Sequence, residues 1–519
     1  MDEPRQRKVT AGRITEIFPD AVMRGDTSPI LTSVADDSRK ITSGGIFVAV
    51  VGYETDGHLF LAQAEDAGAE LLVVDKTHIE KNPGLLGPVQ DRPMLLVENT
   101  RLAASVLAAE FYGHPSFETK VHGVTGTKGK TTTVHFIADI FRADGHSTAT
   151  MGTLGIELGG ETWKSGLTTP GPIDFQKFLR FLVDKGVDDV VCEVSAHAGA
   201  LSRTASVRFE TVTYMNLSRD HGDHFSTDEY LEAKLSISRD AEKINPDVIG
   251  LANIRDIYAE DFLEPISTGK RFRFAAFETD EDLKSLDCDL YARITGKSPE
   301  SLELCIHTDS WEKDVTLPLV GRFNAENAAA AASVATVSGI RPGKIVEGLS
   351  GTKQIPGRLE RIDMGQPFLV VVDYAHAPQP AHEVLTALRE TTRGRLIGVM
   401  GAGGSRDRGK RPMIGEVLTR DCDIAVITSD NPRREEPFDI INDILVGTQR
   451  VKEPRAEILV EADRRKAIEM ALERALSGDT VAILGKGHET YQIFKDETIH
   501  FDDREVAREW LARKRYEKE

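Results

Sequence analysis

Apolar and polar positions alternate along this chain in three blocks. Up to about residue 114, short apolar runs such as GIFVAVVG and ELLVVD surround a helix-like FLAQAEDAGA, a small α/β pattern. The phrase FYGHPSFETK, with Gly113, Pro115 and polar neighbours, reads as a joint. From 115 to 356 a series of apolar runs each ends in polar residues, as in DDVVCEVSAHAGALSR and TVTYMNLSRDHGDHFS, and PLVGRFNAENAAAAASVATVSG reads as a turn feeding an alanine-rich helix. Pro356 and Gly357 mark a second joint. Beyond it FLVVVDYAH, RLIGVMGAGGSRDRGKRP, CDIAVITSDNPRREEP and TVAILGKGHETYQ are separated by helical stretches. Strands alternating with helices predict parallel sheets, so the expected architecture is α/β in three domains. These are a small N-terminal α/β domain at 1–114, a central P-loop ATPase-type domain with a parallel sheet at 115–356, and a Rossmann-like domain at 357–519. A chain of 519 residues exceeds what one core supports, which fits this division.

Composition changes the picture only by exclusion. With 40% hydrophobic and 28% charged residues the chain is of ordinary globular type. A formal net charge of −19 repels polyanions over most of the surface, which argues against a general nucleic-acid or anionic-membrane binder. Cys192, Cys288, Cys305 and Cys422 form no C-x-x-C pair, so reduced structural thiols are expected. The N-terminus lacks the apolar core of a signal peptide, and no run of about 18 apolar residues occurs. A cytoplasmic protein without membrane insertion is expected.

The strongest chemical signal is GVTGTKGKTTT at residues 123–133, between a strand-like run and a helix-like one. Glycines at 123, 126 and 129, followed by Lys130 and Thr131, predict a loop whose backbone N–H groups all turn toward one anion, a phosphate cradle. Lys130 supplies a point charge to terminal phosphates, and the Thr131 hydroxyl is placed for Mg²⁺. Strict G-x-x-x-x-G-K-T spacing requires glycine at 124, where this chain has Val124, so the loop is a variant. In an open α/β sheet ligands gather beyond the carboxyl ends of the strands, which makes Glu193, His197, Asp220 and His221 candidates to converge on the nucleotide. Glu193 and His221 offer oxygen and nitrogen ligands suited to a divalent ion.

In order, GVTGTKGKTT, CEVSAHA, NLSRDH, GRFNAENAAAA, PGRLER, VVDYAH, GAGGSRDRGKRP, SDNPR and GKGHETYQ resemble the Mur ligases across nearly the whole chain. The N-terminal DDSRKITSGGIFVAVVGYETDGH resembles the branch that adds the third amino acid to UDP-N-acetylmuramoyl-dipeptide. That resemblance implies a reaction in which ATP phosphorylates a substrate carboxylate, an amino group attacks the acyl phosphate, and phosphate leaves. It also implies roles for residues. Gly126, Thr127, Lys128, Gly129, Lys130, Thr131 and Thr132 would hold the phosphates of ATP, while Asn327, Arg358, Asp373 and His376 would serve its adenine, phosphate and ribose side. Thr131, Glu193, His221 and Lys234 would hold Mg²⁺, Lys234 as a carbamate formed with CO₂, so that Lys130, Lys234 and His221 are the catalytic set. By the same resemblance Ser38, Thr168, Thr169, Ser195 and Arg203 receive the UDP-sugar. Arg406, Asp430, Asn431, Arg433, Gly485 and Glu489 receive the amino acid. The D-N-P-R signature implies meso-diaminopimelate, because Arg433 offers a two-point contact to a distal carboxylate that lysine lacks, and Glu489 suits the distal ammonium. Lysine addition is the alternative, and folylpolyglutamate or cyanophycin-type ligases lack the DDSRK and DNPR features. The family's usual pattern has asparagine where Lys128 stands and an acidic residue where Gln379 stands. A monomer is expected.

Overall fold

Among the described residues, runs of valine, isoleucine and leucine bounded by glycine and polar turns form the strands of three large sheets, beside two small two-stranded ones. The computed structural model describes residues 4, 6–52, 55–217, 227–267, 269–279 and 287–514. In the first sheet the order is Val22–Arg24, Met94–Val97, Ala69–Asp75, Gly45–Val48 and Ser33–Ala35, parallel apart from the first edge strand.

Among the described residues the central sheet has eleven strands. Its parallel heart runs Thr148–Gly152, Asp189–Glu193, Lys120–Thr125, Thr211–Tyr214, Ile249–Asn253, Arg271–Phe277 and Leu290–Lys297. Strands Lys120–Thr125 and Asp189–Glu193 are buried on both faces almost throughout, as a parallel sheet covered by helices requires. Beyond the expected parallel sheet, antiparallel strands extend both edges: Gly155–Leu158 and Glu161–Trp163 on one side, Leu302–Thr308 and Glu312–Leu317 on the other. The last of these alternates exposed and buried residues toward its end, as a strand covered on one face does. The alanine-rich helix Phe323–Val337 packs against the helix Lys130–Ala143, with alanines 328–332 wholly buried between them and the sheet. Small side chains let the backbones approach closely, which makes packing the role of the alanines.

The third sheet runs Glu360–Arg361, Leu369–Asp373, Thr480–Leu484, Leu396–Met400, Ile424–Ile427 and Glu457–Val460, parallel except for its first strand. Arg464 and Asp503, from the helices Arg464–Arg474 and Asp503–Lys514, form a fully buried two-point pair at 2.7 Å. Arg464 also donates to the carbonyls of Ser429 (3.1 Å) and Leu484 (3.0 Å), tying together the ends of two strands. All four cysteines are unpaired, and no described helix is long and apolar enough to cross a membrane.

Candidate active site

Three adjacent parallel strands end together and set the first half of the site. Glu193 pairs in register with Val124, and Tyr214 with Thr125, so the P-loop, Glu193 and Asn216 emerge side by side. Gly126 and Gly129 hold φ of +155° and +83°. At Gly129 a Cβ would strike the Asn327 side chain, so glycine is required there for both conformation and space. Two loop N–H groups depart from expectation: Thr127 and Lys128 donate to Asn216 Oδ1 at 3.1 and 2.9 Å rather than facing an anion. An asparagine at the end of the neighbouring strand is a closer acceptor, and it stiffens the loop. Lys130 Nζ curls back over the loop, donating to the carbonyls of Gly126 (2.8 Å) and Thr127 (3.1 Å). Thr132 is buried at the start of the helix.

Thr131 lies at the centre. Its Oγ1 donates to Glu193 Oε1 at 2.9 Å and accepts from Arg358 Nη2 at 3.1 Å. Glu193 is 2% exposed and also accepts from the backbone and hydroxyl of Thr153 at 2.8 and 3.2 Å. Lys234, on the helix Thr227–Ile244, is 0% exposed, and among the described residues its Nζ has no hydrogen-bond partner. The amine lies over the Tyr230 ring, 4.7 Å from its centre. Burial, with Lys130 nearby, holds its ammonium well below the ordinary lysine range. A neutral buried amine is the form that reacts with CO₂, and a hydroxyl beside a buried carboxylate is an oxygen set suited to a hard cation, so these residues fit Mg²⁺ and a carbamate. Asp220 and His221 lie outside the described residues.

The four second-domain residues assigned to the UDP-sugar converge beside Glu193. Thr169 Oγ1 donates to the Glu193 carbonyl (2.8 Å) and accepts from the Ser195 N–H (2.9 Å), while Arg203 Nη1 donates to the Thr169 carbonyl (2.8 Å). Thr168 lies 3.2 Å from Thr153, hydroxyl to hydroxyl. Ser38 stands apart in the first domain, 3.4 Å from Gln63, in the short turn Ser38–Lys40. Lys40 reaches Asp174 of the central domain at 3.4 Å.

The third sheet presents its own carboxyl edge to this region. Arg358 stacks over the Tyr374 ring at 5.0 Å. Asp373 accepts from the Leu359 and Ala375 N–H groups at 2.7 and 2.8 Å, fixing the turn behind Arg358, and burial raises its carboxyl above the ordinary range. His376 is exposed, its Nδ1 2.9 Å from the Tyr374 carbonyl oxygen. Asn327 is buried, donating to Asn324 Oδ1 at 3.0 Å and accepting from Thr133 at 3.3 Å.

The residues of the amino-acid set gather at the ends of neighbouring strands. Asn431 Nδ2 donates to Glu489 Oε2 at 3.1 Å, and Asp430 lies against Gly485, whose φ is +114°. Arg433 is half-buried at φ +53° and donates to the Gly404 carbonyl at 3.0 Å. Arg406 is exposed at the rim. Sequence reasoning missed Lys486, a wholly buried ammonium 3.1 Å from Glu489 and 3.3 Å from Asn431. It also missed Asn216, whose signal was an asparagine directly after an apolar run. Lys128 and Gln379, two of the departures from the family pattern, meet on one carboxylate: Glu383 Oε1 accepts from Lys128 Nζ at 2.8 Å and from Gln379 Nε2 at 2.9 Å.

Comparison with known proteins agrees with the α/β fold. The model "Mur ligase family, catalytic domain" matches residues 31–112, "Mur ligase middle domain" 124–335, and "Mur ligase, glutamate ligase domain" 357–487. A Syntrophomonas wolfei protein named UDP-N-acetylmuramoyl-L-alanyl-D-glutamate--2,6-diaminopimelate ligase is 37% identical, over 97% of this chain and 99% of its own. A Bacillus cereus protein of the same name is 35% identical over 93% and 95%. A solved structure of a ligase of that name shares 27% identity and a TM-score of 0.68, covering 98% of this chain and 99% of its own. Three matched domains and a relative similar from end to end place the chain in the Mur ligase family.

Proposed function

We propose that this protein is an ATP-dependent amide ligase that joins meso-diaminopimelate to UDP-N-acetylmuramoyl-L-Ala-D-Glu. The observation that carries the reading is the meeting of the two strand-end edges at Thr131, which touches Glu193 of its own domain and Arg358 of the third domain. A carboxylate is a poor electrophile with a poor leaving group, and phosphorylation cures both defects. In the first step a substrate carboxylate oxygen bonds to the γ-phosphorus as the bond to ADP breaks. In the second the amine nitrogen bonds to the acyl carbon, the C–O bond to phosphate breaks, and the amine proton passes to solvent.

Lys130 binds the phosphates. Thr131 and Glu193, with Lys234 as its carbamate and His221, would hold Mg²⁺, which when bound screens the approach of two anions. Carbamate formation needs only CO₂: the neutral Lys234 nitrogen bonds to carbon and releases one proton. Arg358 brings a cation to the phosphates as the third domain closes over the nucleotide, with Asn327, Asp373 and His376 at its base and ribose. Thr168, Thr169, Ser195, Arg203 and Ser38 would receive the UDP-sugar. Arg406, Arg433, Asp430, Asn431, Gly485 and Glu489 would receive diaminopimelate, with Arg433 on the distal carboxylate. Lys128 takes no part in this amino-acid set, its ammonium being engaged by Glu383.

The test is amino-acid-dependent phosphate release from ATP, Mg²⁺ and the UDP-dipeptide. Release is expected with meso-diaminopimelate, and at a rate lower by at least about a hundredfold with L-lysine, which offers the half-buried Arg433 no distal carboxylate. Equal release with lysine contradicts the specificity, and no release with any amino acid contradicts the activity.

A further inference from the structure

Two loops at the carboxyl edge of the third sheet carry the arginines assigned to the amino acid: residues 401–409 hold Arg406, and residues 428–436 hold Arg433. Surface loops hold a geometry only where something ties them. The tie here is a third arginine. Arg411 enters from the helix Lys410–Asp421, is 0% exposed, and forks onto Glu435, Nη2 to Oε1 at 2.8 Å and Nη1 to Oε2 at 2.9 Å. Its Nη1 also reaches Asp443 Oδ2, on the helix Pro437–Thr448, at 2.9 Å.

Glu435 passes the constraint to the other loop, accepting at 2.5 Å from the N–H of Ser405, the residue before Arg406. Alongside, the Gly404 N–H donates to the Asn431 carbonyl at 2.9 Å, and Arg433 donates back to the Gly404 carbonyl at 3.0 Å. A Cβ on Gly404 would strike the Pro432 carbonyl, so the loops meet backbone to backbone. Ser405 and Arg433 both hold positive φ, +54° and +53°, which non-glycine residues keep only where the surroundings fix them. The hydrogen bonds from Arg411 hold the Glu435 carboxyl down at about 2, so the clamp stays charged throughout the neutral range.

We propose that Arg411 is a positioning residue for amino-acid recognition: clamped to Glu435, it fixes the spacing of Arg406 and Arg433 and thereby the preference for an amino acid with a second carboxylate. The proposal rests on the ligase reading. Arg411 bonds to Glu435, Asp443 and the Gly403 carbonyl, none of them assigned to the nucleotide or the UDP-sugar, so its loss acts on one substrate only.

The experiment is steady-state phosphate release by wild type, Arg411→Lys, Glu435→Gln and the double variant, with each of the three substrates varied in turn. Lysine keeps the charge but not the fork. Glu435, whose side chain is 24% exposed, gives a second route should the buried Arg411→Lys protein not fold. The expected result is a KM for diaminopimelate raised about tenfold in each variant, the effect of losing one charge-assisted hydrogen bond. KM for ATP and for the UDP-dipeptide should stay within about twofold, the preference over lysine should fall in parallel, and the double variant should be no worse than either single one. Wild-type activity together with an unchanged diaminopimelate KM in a folded Glu435→Gln protein overturns the clamp alone, as does an equal rise for all three substrates. Wild-type protein with no diaminopimelate-dependent release overturns the ligase reading and the clamp with it.

Discussion

Lys234 shows how one side chain can be costly to the fold and necessary to the chemistry. Its amine is wholly buried and has no hydrogen-bond partner among the described residues, and burial holds its protonation well below the ordinary range. Below the ordinary lysine value the unfolded chain therefore binds more protons at Lys234 than the folded chain does. In consequence the unmodified lysine destabilises the fold near neutral pH, and the penalty fades as pH rises toward the ordinary lysine value of about 10.4. In CO₂-free buffer at about pH 7, Lys234→Met is expected to raise the melting temperature, with the gain shrinking toward about pH 10. Phosphate release by the same variant is expected to fall by roughly two to three orders of magnitude, the loss typical of removing one preorganised electrostatic group. A less stable Lys234→Met protein, or an active one, contradicts this assignment. Nothing local in YLEAKLS marks this lysine: on a polar helix it reads as solvated, and only its burial, or resemblance, singles it out.

At the scale of elements, the P-loop was legible because its signal is local. Gly129, Lys130 and Thr131 stand in consecutive positions, and the glycine's φ of +83° follows from the turn itself. Gly129→Ala is expected to cost about 1–2 kcal/mol from the left-handed backbone alone. It also drives Asn327 from the loop, so a nucleotide affinity at least about tenfold weaker is expected by titration. Unchanged affinity would show that the loop tolerates the shift. The parallel strands were legible for the same reason, as apolar runs ending in polar clusters. Arg464 was not: in EADRRKA it reads as an exposed helix start, yet it is buried against Asp503, a partner 39 residues away. Arg464→Met alone is expected to destabilise by about 3–5 kcal/mol, because it strands a buried carboxylate. Replacing both residues by apolar ones should cost less, as denaturant titration followed by a probe in the third domain would show. Contacts across the sequence of this kind leave no periodic trace.

In the whole molecule, the domains meet around the P-loop. Arg358 reaches Thr131, and Glu383 of the helix Pro378–Thr391 holds Lys128 of the P-loop at 2.8 Å. Two of the departures from the family pattern thus share one carboxylate, Lys128 from the central domain and Gln379 from Glu383's own helix, which neither position disclosed alone. Because the third domain supplies the carboxylate that balances Lys128, Glu383→Gln frees that ammonium for the phosphates. KM for ATP is expected to fall about two- to fivefold at low salt, and the difference to vanish near 1 M, where screening acts within about 3 Å. A KM that rises at low salt would make Glu383 a closure contact instead. If ATP activates a substrate carboxylate, an oxygen of that carboxylate must end on the phosphate released, and oxygen tracing follows it. With both D-glutamate carboxylates of the UDP-dipeptide labelled with ¹⁸O, and ATP, Mg²⁺ and meso-diaminopimelate supplied, one labelled oxygen is expected in each phosphate released; phosphate free of label would contradict the mechanism.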